Sequence, residues 1–242
     1  MEKFFPLNSL QHFTKSVFEH IGCPEDHALT ATNALLSADL RGIDSHGIAR
    51  LVGYVRLWES GRVNAKPEIR IIHESPSTAT VDGDSGLGLV VAPFAMQVAI
   101  QKASQAGTGW VAVQNSNHFG IAAYHAMKAL EHGMIGIAMT NASALVAPTF
   151  SLERMLGTNP ICVAIPSGLP TDVPPNFMIF ITEFLLLIKA AKLGTFTSRF
   201  EIQESRFAIY QLVFGDLPLP KAIAVFLFRG VLLPSIFPDH PE

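Results

Sequence analysis

Apolar residues in the first sixty positions recur at helical spacing. Leu10, Phe13, Val17 and Phe18 fall on one face of a first helix, which Ser9 can cap and which ends near Gly22. Pro24 suits the first turn of a second helix that runs to about Leu40 and packs through Ala28, Ala31, Ala34 and Leu35. A third helical run begins at Ile48 and stops near Gly61. The period then changes. Ile69 to His73 reads as an extended apolar strand, and Ser77 to Val81 alternates Thr and Val types before an Asp82-Gly83 turn. Leu87 to Ala106 is a long helical pattern flanked by Gly86, Gly88 and Gly107.

Strand, helix and strand follow in order: Trp110 to Gln114, Gly120 to His132, and Ile135 to Thr140. Their spacing resembles a crossover unit. Such apolar strands, covered on both faces, imply an α/β sheet. Ile161 to Ile165 is a further strand, entered from Gly157-Thr158-Asn159-Pro160.

The chemistry gathers at the start of the third helix. Asp44, Ser45, His46 and Arg50 place an acid, a hydroxyl, an imidazole and a guanidinium within seven positions. At a helix N-terminus they would join unpaired backbone N–H groups that favour an anion. Arg50 and Tyr54 are four apart and share a face. A bound carboxylate could meet Arg50 while His46, with an ordinary pKa near ~6.5, exchanges a proton with the neighbouring oxygen. The plain alternative is that Asp44 and Ser45 merely cap a helix, His46 is a loop residue and Arg50 is solvated. Asn117-His118-Phe119-Gly120 and Thr140-Asn141 directly follow strands. Ligand crevices in α/β sheets lie at such carboxyl ends, which puts His118 and Asn141 beside a ligand. A helix cap and a turn are the alternative for these two.

Composition narrows the class. The 242 residues are 49% hydrophobic and carry a formal net charge of -3 with no basic run, which argues against a nucleic-acid surface. Cys23 and Cys162 fit no zinc or CxxC spacing and read as free thiols. No apolar run approaches the ~20 residues of a membrane span, and the N-terminus lacks a signal-peptide core. A cytoplasmic protein with no membrane contact is the expectation. No GxGxxG follows a strand, and neither a GxxxxGK, a GxSxG nor an HExxH occurs. No metal site is expected.

Four motifs together resemble the type-2 malate/L-lactate dehydrogenase family, also called L-sulfolactate dehydrogenase-like. They are Asp44-Ser45-His46-Gly47, Asn117-His118-Phe119-Gly120, Thr140-Asn141 and Leu156-Gly157-Thr158-Asn159-Pro160. The likeness covers roughly residues 5–175. It implies an α/β fold with a mixed sheet and an N-terminal helical region. It also implies NAD or NADP as cofactor without the usual dinucleotide motif, a small 2-hydroxy or 2-oxo acid substrate, and a homodimer. Carried over, His46 matches the proton donor and acceptor. Ser45, Arg50, Tyr54, His118 and Asn141 match substrate-side positions, and Thr158 and Asn159 match the cofactor side.

The resemblance stops near residue 175. Family members continue into a segment like Asp-Met-Ala-Thr-Ser that binds the cofactor, and later into a Gly-x-Lys-Gly-x-Gly type element. Here Pro174-Pro175 leads to Asn176-Phe177-Met178-Ile179-Phe180-Ile181. Ten of the 17 phenylalanines lie after residue 170, but only three of the 18 glycines. The expected organisation is a helical region with the substrate motif (1–65), a partial α/β core of the NAD(P)-binding domain (66–175) and a divergent tail (176–242). A genuine alternative C-terminal region, a membrane-associated tail and a translation in a shifted reading frame compete to explain the tail. The shifted frame is favoured, because the break is abrupt and falls where the fold needs sequence. Activity is then expected to be impaired, and a non-catalytic binding or dimerisation remnant of the family is the rival reading.

Overall fold

The computed structural model describes residues 4–166 and the backbone of two further strands, 176–181 and 223–230. Helices α1 (Leu7–His20), α2 (Glu25–Asp39) and α3 (Leu51–Glu59) come first. Pro6, with φ near -59°, stands at the N-cap position of α1, so Ser9 lies inside the helix instead of capping it. Thr14 and Phe18 are the buried residues of α1, and Phe13 faces solvent. The expected alanine face of α2 is buried in full: Ala28, Ala31, Ala34 and Leu35. These helices share a core with Leu51, Tyr54, Leu87, Leu89 and Val90. The N-terminal region is thereby packed onto the start of α4 (Gly88–Ala106).

Seven strands make one sheet in the order β1-β2-β3-β7-β4-β5-β6. They are β1 (Arg70–Glu74), β2 (Thr78–Gly86), β3 (Thr108–Ser116), β4 (Ile135–Thr140), β5 (Ile161–Pro166), β6 (Asn176–Ile181) and β7 (Ile223–Gly230). β2, β3, β7 and β4 run parallel, while β1, β5 and β6 pair antiparallel. β3 and β4 are therefore not neighbours, as a simple crossover would make them. The backbone of β7 pairs with both, Val111 opposite Phe226 and Ile137 opposite Val225.

α4 and α5 (Ala122–Ala126) cover one face through Val91, Ala95, Met96, Val111, Val113, Ala122 and Ala126. On the other face Ile135, Ile137 and Val163 form a small cluster with Trp110 at its margin. β4 is buried from Ile135 to Ala138, as its unbroken apolar run predicts. β3 alternates instead, with Val111 and Val113 buried and Ala112 exposed, so apolar content alone overstates its cover. The expected helix over Gly120 to His132 is one short α turn followed by a 3-10 segment, Met127–His132. β2 continues through Asp82-Gly83, where a turn is expected, and then kinks at Asp84 and Ser85, whose φ values are 47° and 57°. Among the described residues no helix is long and apolar enough to cross a membrane.

Candidate functional site

Because β2, β3 and β4 are parallel, the loops after them leave the same edge of the sheet. Antiparallel β5 begins there too, with Ile161 opposite Met139. His118, Asn141, Thr158 and Asn159 thus lie on one side. The stretch between α2 and α3 is brought there by the helical core that binds α3 to α4.

That stretch does not form the expected α-helical N-terminus. It makes two 3-10 turns, Asp44–His46 and Ile48–Arg50, and α3 begins only at Leu51. The reason is Asp39, at the end of α2. Its Oδ2 accepts the Ile48 N–H at 2.8 Å, so the N–H offered to an anion already holds a carboxylate. Gly47 makes this possible, because a Cβ at that position would overlap the Asp39 carboxylate. Burial pushes the Asp39 carboxyl pKa up, and repulsion from Asp44 adds to it against the Ile48 hydrogen bond.

Within the turns, Ser45 Oγ lies 2.9 Å from His46 Nδ1, and Arg50 Nε donates to the Ser45 carbonyl at 2.7 Å. No carboxylate among the described residues forms a salt bridge with Arg50, which is exposed. The His46 ring stacks on His118 with centroids 5.8 Å apart and planes at 26°. Tyr54, one turn along α3 from Arg50 and only 2% exposed, places its hydroxyl 2.7 Å from His118 Nδ1. The resemblance put Tyr54 among the substrate groups; here its hydroxyl is engaged by a histidine 64 residues away.

His118 rests on a braced loop. Asn117 Nδ2 donates to the carbonyls of Ser85 and Gly86 at 2.8 and 3.0 Å. Gly88 lets α4 approach so closely that a Cβ there would overlap the carbonyls of Asn117 and His118. The buried His125 ring reaches the Phe119 carbonyl through Nε2 at 2.8 Å and stacks on the Phe119 ring at 4.7 Å. Gly120 takes φ of +78°, a left-handed turn that suits glycine. Its N–H donates to His118 Nδ1 at 3.3 Å.

The environment lowers the basicity of both site histidines. Burial pushes His46 down, helped by the Arg50 charge. Burial pushes His118 down to about 4, with His46 and Arg50 adding to the effect. Part of the His118 side chain stays open to solvent, while its Nδ1 edge is turned inward against Tyr54 and Gly120.

The remaining candidates form a second group. Thr140 Oγ1 donates to the Asn141 carbonyl at 2.9 Å, and Asn141 is exposed at the end of β4. Asn159 Oδ1 accepts the Ala142 N–H at 2.9 Å, which ties the start of β5 to that turn. Thr158 is exposed beside it. Two positions escaped sequence reasoning. Asp39 carries no signal beyond an acid at a helix end. Asn117 sits inside a recognised motif with nothing to separate it from a turn residue. Tyr54 was noted for its face and not for its partner.

Comparison with known proteins gives the family and the fold. A family profile described as malate/L-lactate dehydrogenase matches residues 5–178. The malate dehydrogenase of Pyrococcus abyssi is 52% identical over 162 residues, which cover 67% of this chain and 45% of that protein. The L-sulfolactate dehydrogenase of Methanocaldococcus jannaschii is 47% identical over 148 residues, 61% of this chain and 43% of that one. Among solved structures, the malate dehydrogenase of Pyrococcus horikoshii superposes with a TM-score of 0.68 at 46% identity. That match covers 74% of this chain and 52% of the other. The chain spans about half the length of the relatives it matches, and over that span it belongs to the malate/L-lactate dehydrogenase family.

Proposed function

We propose that the chain carries the acid-binding and proton-exchanging part of an NAD(P)-dependent 2-hydroxy/2-oxo acid oxidoreductase site. One observation carries the reading. His46 and His118 stack at 5.8 Å beside Arg50, a guanidinium with no carboxylate bridge among the described residues. Arg50 binds the substrate carboxylate through its terminal nitrogens, while its Nε anchors it to Ser45. As an imidazolium His46 gives a proton to the C2 oxygen on reduction, and as a neutral ring it takes one from the C2 hydroxyl on oxidation. Its lowered basicity keeps it neutral, and so ready to act as a base, near pH 7. His118 and Asn141 border the same acid.

A bound nicotinamide would supply the hydride that C2 gains on reduction and accept the one it loses on oxidation. The described residues fit only part of such a cofactor. Thr158 offers an exposed hydroxyl, but Asn159 Oδ1 is engaged by Ala142. The N-terminus of α4 is closed by the packing of Gly88 on Asn117 and His118. No pyrophosphate cradle stands there. Asn176 to Ile181 also replaces the family's Asp-Met-Ala-Thr-Ser-like segment. The proposal therefore includes impaired turnover, and it treats the tail from about 176 as divergent, by a shifted frame. The missing segment equally supports the second reading, a remnant that binds a small acid or pairs with another copy without catalysis.

Titrating the purified chain with NADH and NADPH, followed by nicotinamide fluorescence, separates the two. Saturable binding supports the oxidoreductase, and no binding up to millimolar concentrations leaves the remnant. Sedimentation of the same sample tests the homodimer.

A further inference from the structure

We infer that Tyr54 is a positioning residue: its hydroxyl and the Gly120 N–H fix His118 with Nδ1 as acceptor and the ring proton on Nε2. His118 then serves the site as a neutral hydrogen-bond donor to the substrate oxygen, and His46 alone exchanges the proton. The role of the donor rests on the oxidoreductase reading above; the fixed tautomer does not.

The argument begins with what each group can do. A backbone N–H can only donate. Gly120 aims its N–H at His118 Nδ1 from 3.3 Å, so that nitrogen must present its lone pair. The Tyr54 hydroxyl, 2.7 Å from the same nitrogen, must then donate as well. A neutral imidazole with an acceptor at Nδ1 carries its hydrogen on Nε2.

The arrangement is held firmly. The Tyr54 ring is buried, with its edge toward Phe18 at a centroid distance of 6.3 Å and 61°. Burial also pushes the phenol pKa up, so the hydroxyl keeps its proton throughout the working range. The charged or titratable groups that face His118 are His46, Arg50, Tyr54 and His125; the Arg50 charge and any charge on the two histidines oppose an imidazolium there, and the Gly120 N–H opposes a proton on Nδ1. Two residues of one type so acquire different duties.

Nitrogen NMR on the full chain, labelled with ¹⁵N-histidine and assigned against His118→Gln, reads the tautomer directly. The test needs neither cofactor nor turnover, so its outcome is independent of whether the chain is an enzyme. In the unsubstituted protein, His118 should show a protonated Nε2 and an unprotonated Nδ1, unchanged from pH 8 down to pH 5. Tyr54→Phe keeps the ring and its packing. It removes the shorter of the two donors to Nδ1, so a fraction of the rings should carry the proton on Nδ1 instead. A proton on Nδ1, an imidazolium already formed at pH 6, or a spectrum unchanged by Tyr54→Phe would overturn the inference. If the Phe variant does not fold, the spectrum of the unsubstituted protein decides alone.

Discussion

Replacing Asp39 by Ala removes the acceptor of the Ile48 N–H, the contact that sets the turns carrying Ser45, His46 and Arg50. A hydrogen bond to a charged group contributes about 1.5–3 kcal/mol, and Asp39 is only half-buried, so solvent screening reduces this to about 1–2 kcal/mol. For a chain of this size each kcal/mol moves the melting temperature by about 2–4 °C, so a fall of about 2–8 °C is expected. Asp39→Asn keeps an acceptor and loses the repulsion from Asp44, so it should recover most of the loss. The pH dependence has a definite sign. The folded pKa of Asp39 is raised, so its contribution is full below the ordinary carboxylate value and declines as pH rises through the raised one. The local readout is the proton NMR titration of His46. Burial lowers the His46 pKa, so loosening the turn in Asp39→Ala should let it rise toward ~6.5. An Asp39→Ala chain that melts with the unsubstituted protein and leaves the His46 titration unmoved would sink the idea that this carboxylate sets the site.

Four further outcomes are expected. Burial holds His118 at about 4 and His125 at about 3, so the unfolded chain binds the extra protons below ~6.5. Thermal melts should show stability constant above that pH and declining as pH falls toward 4 and then 3. Arg50→Lys should weaken binding of a small 2-oxo acid by roughly 10-fold or more in calorimetric titration, because a point charge replaces a planar fork. Cys23 and Cys162 are buried with thiols pushed up to about 11 and about 12, so both should react with a thiol reagent only after denaturation. Reading the gene after Pro175 in the other two frames should reveal an Asp-Met-Ala-Thr-Ser-like string; its absence from both would end the shifted-frame proposal.

Sequence periodicity served best where burial is one-sided and local. The α2 face, with Ala28, Ala31, Ala34 and Leu35, follows from spacing alone, and the unbroken run of β4 marks a strand covered on both sides. It failed where distant segments decide. Nothing near Tyr54 announces a partner at His118, and nothing near Asp39 announces that it will hold Ile48. The Ala112 side of β3 shows the same limit, since the cover of a strand depends on what the rest of the chain brings to it. Family motifs named His46, His118 and Tyr54 without saying that the three meet, because a motif records which residues occur and not which atoms they engage.

The tail poses the same question at the scale of the sheet. Ile223–Gly230 runs Ile-Ala-Val-Phe-Leu-Phe-Arg-Gly, apolar without alternation, which suits a strand with both faces covered. Its backbone lies between β3 and β4 and pairs with each in parallel. A position flanked by two strands offers hydrogen bonds to any extended segment, and an unpatterned apolar segment is the least able to specify its register. The seat of β7 is therefore a property of β3 and β4 more than of the tail. This matters for the site, since the loops carrying His118 and Asn141 leave the ends of those two strands. Whatever fills the gap between them sets how far apart the loops stand. Past the sheet, Leu145, Phe150, Leu152 and Met155 remain exposed on the segment between β4 and β5. An apolar patch of that kind usually marks a contact surface or an aggregation liability. The residues proposed to bind and protonate a small acid are thus built and braced by the first part of the chain, while the spacing of the loops that carry them depends on a strand whose sequence does little to fix its own place.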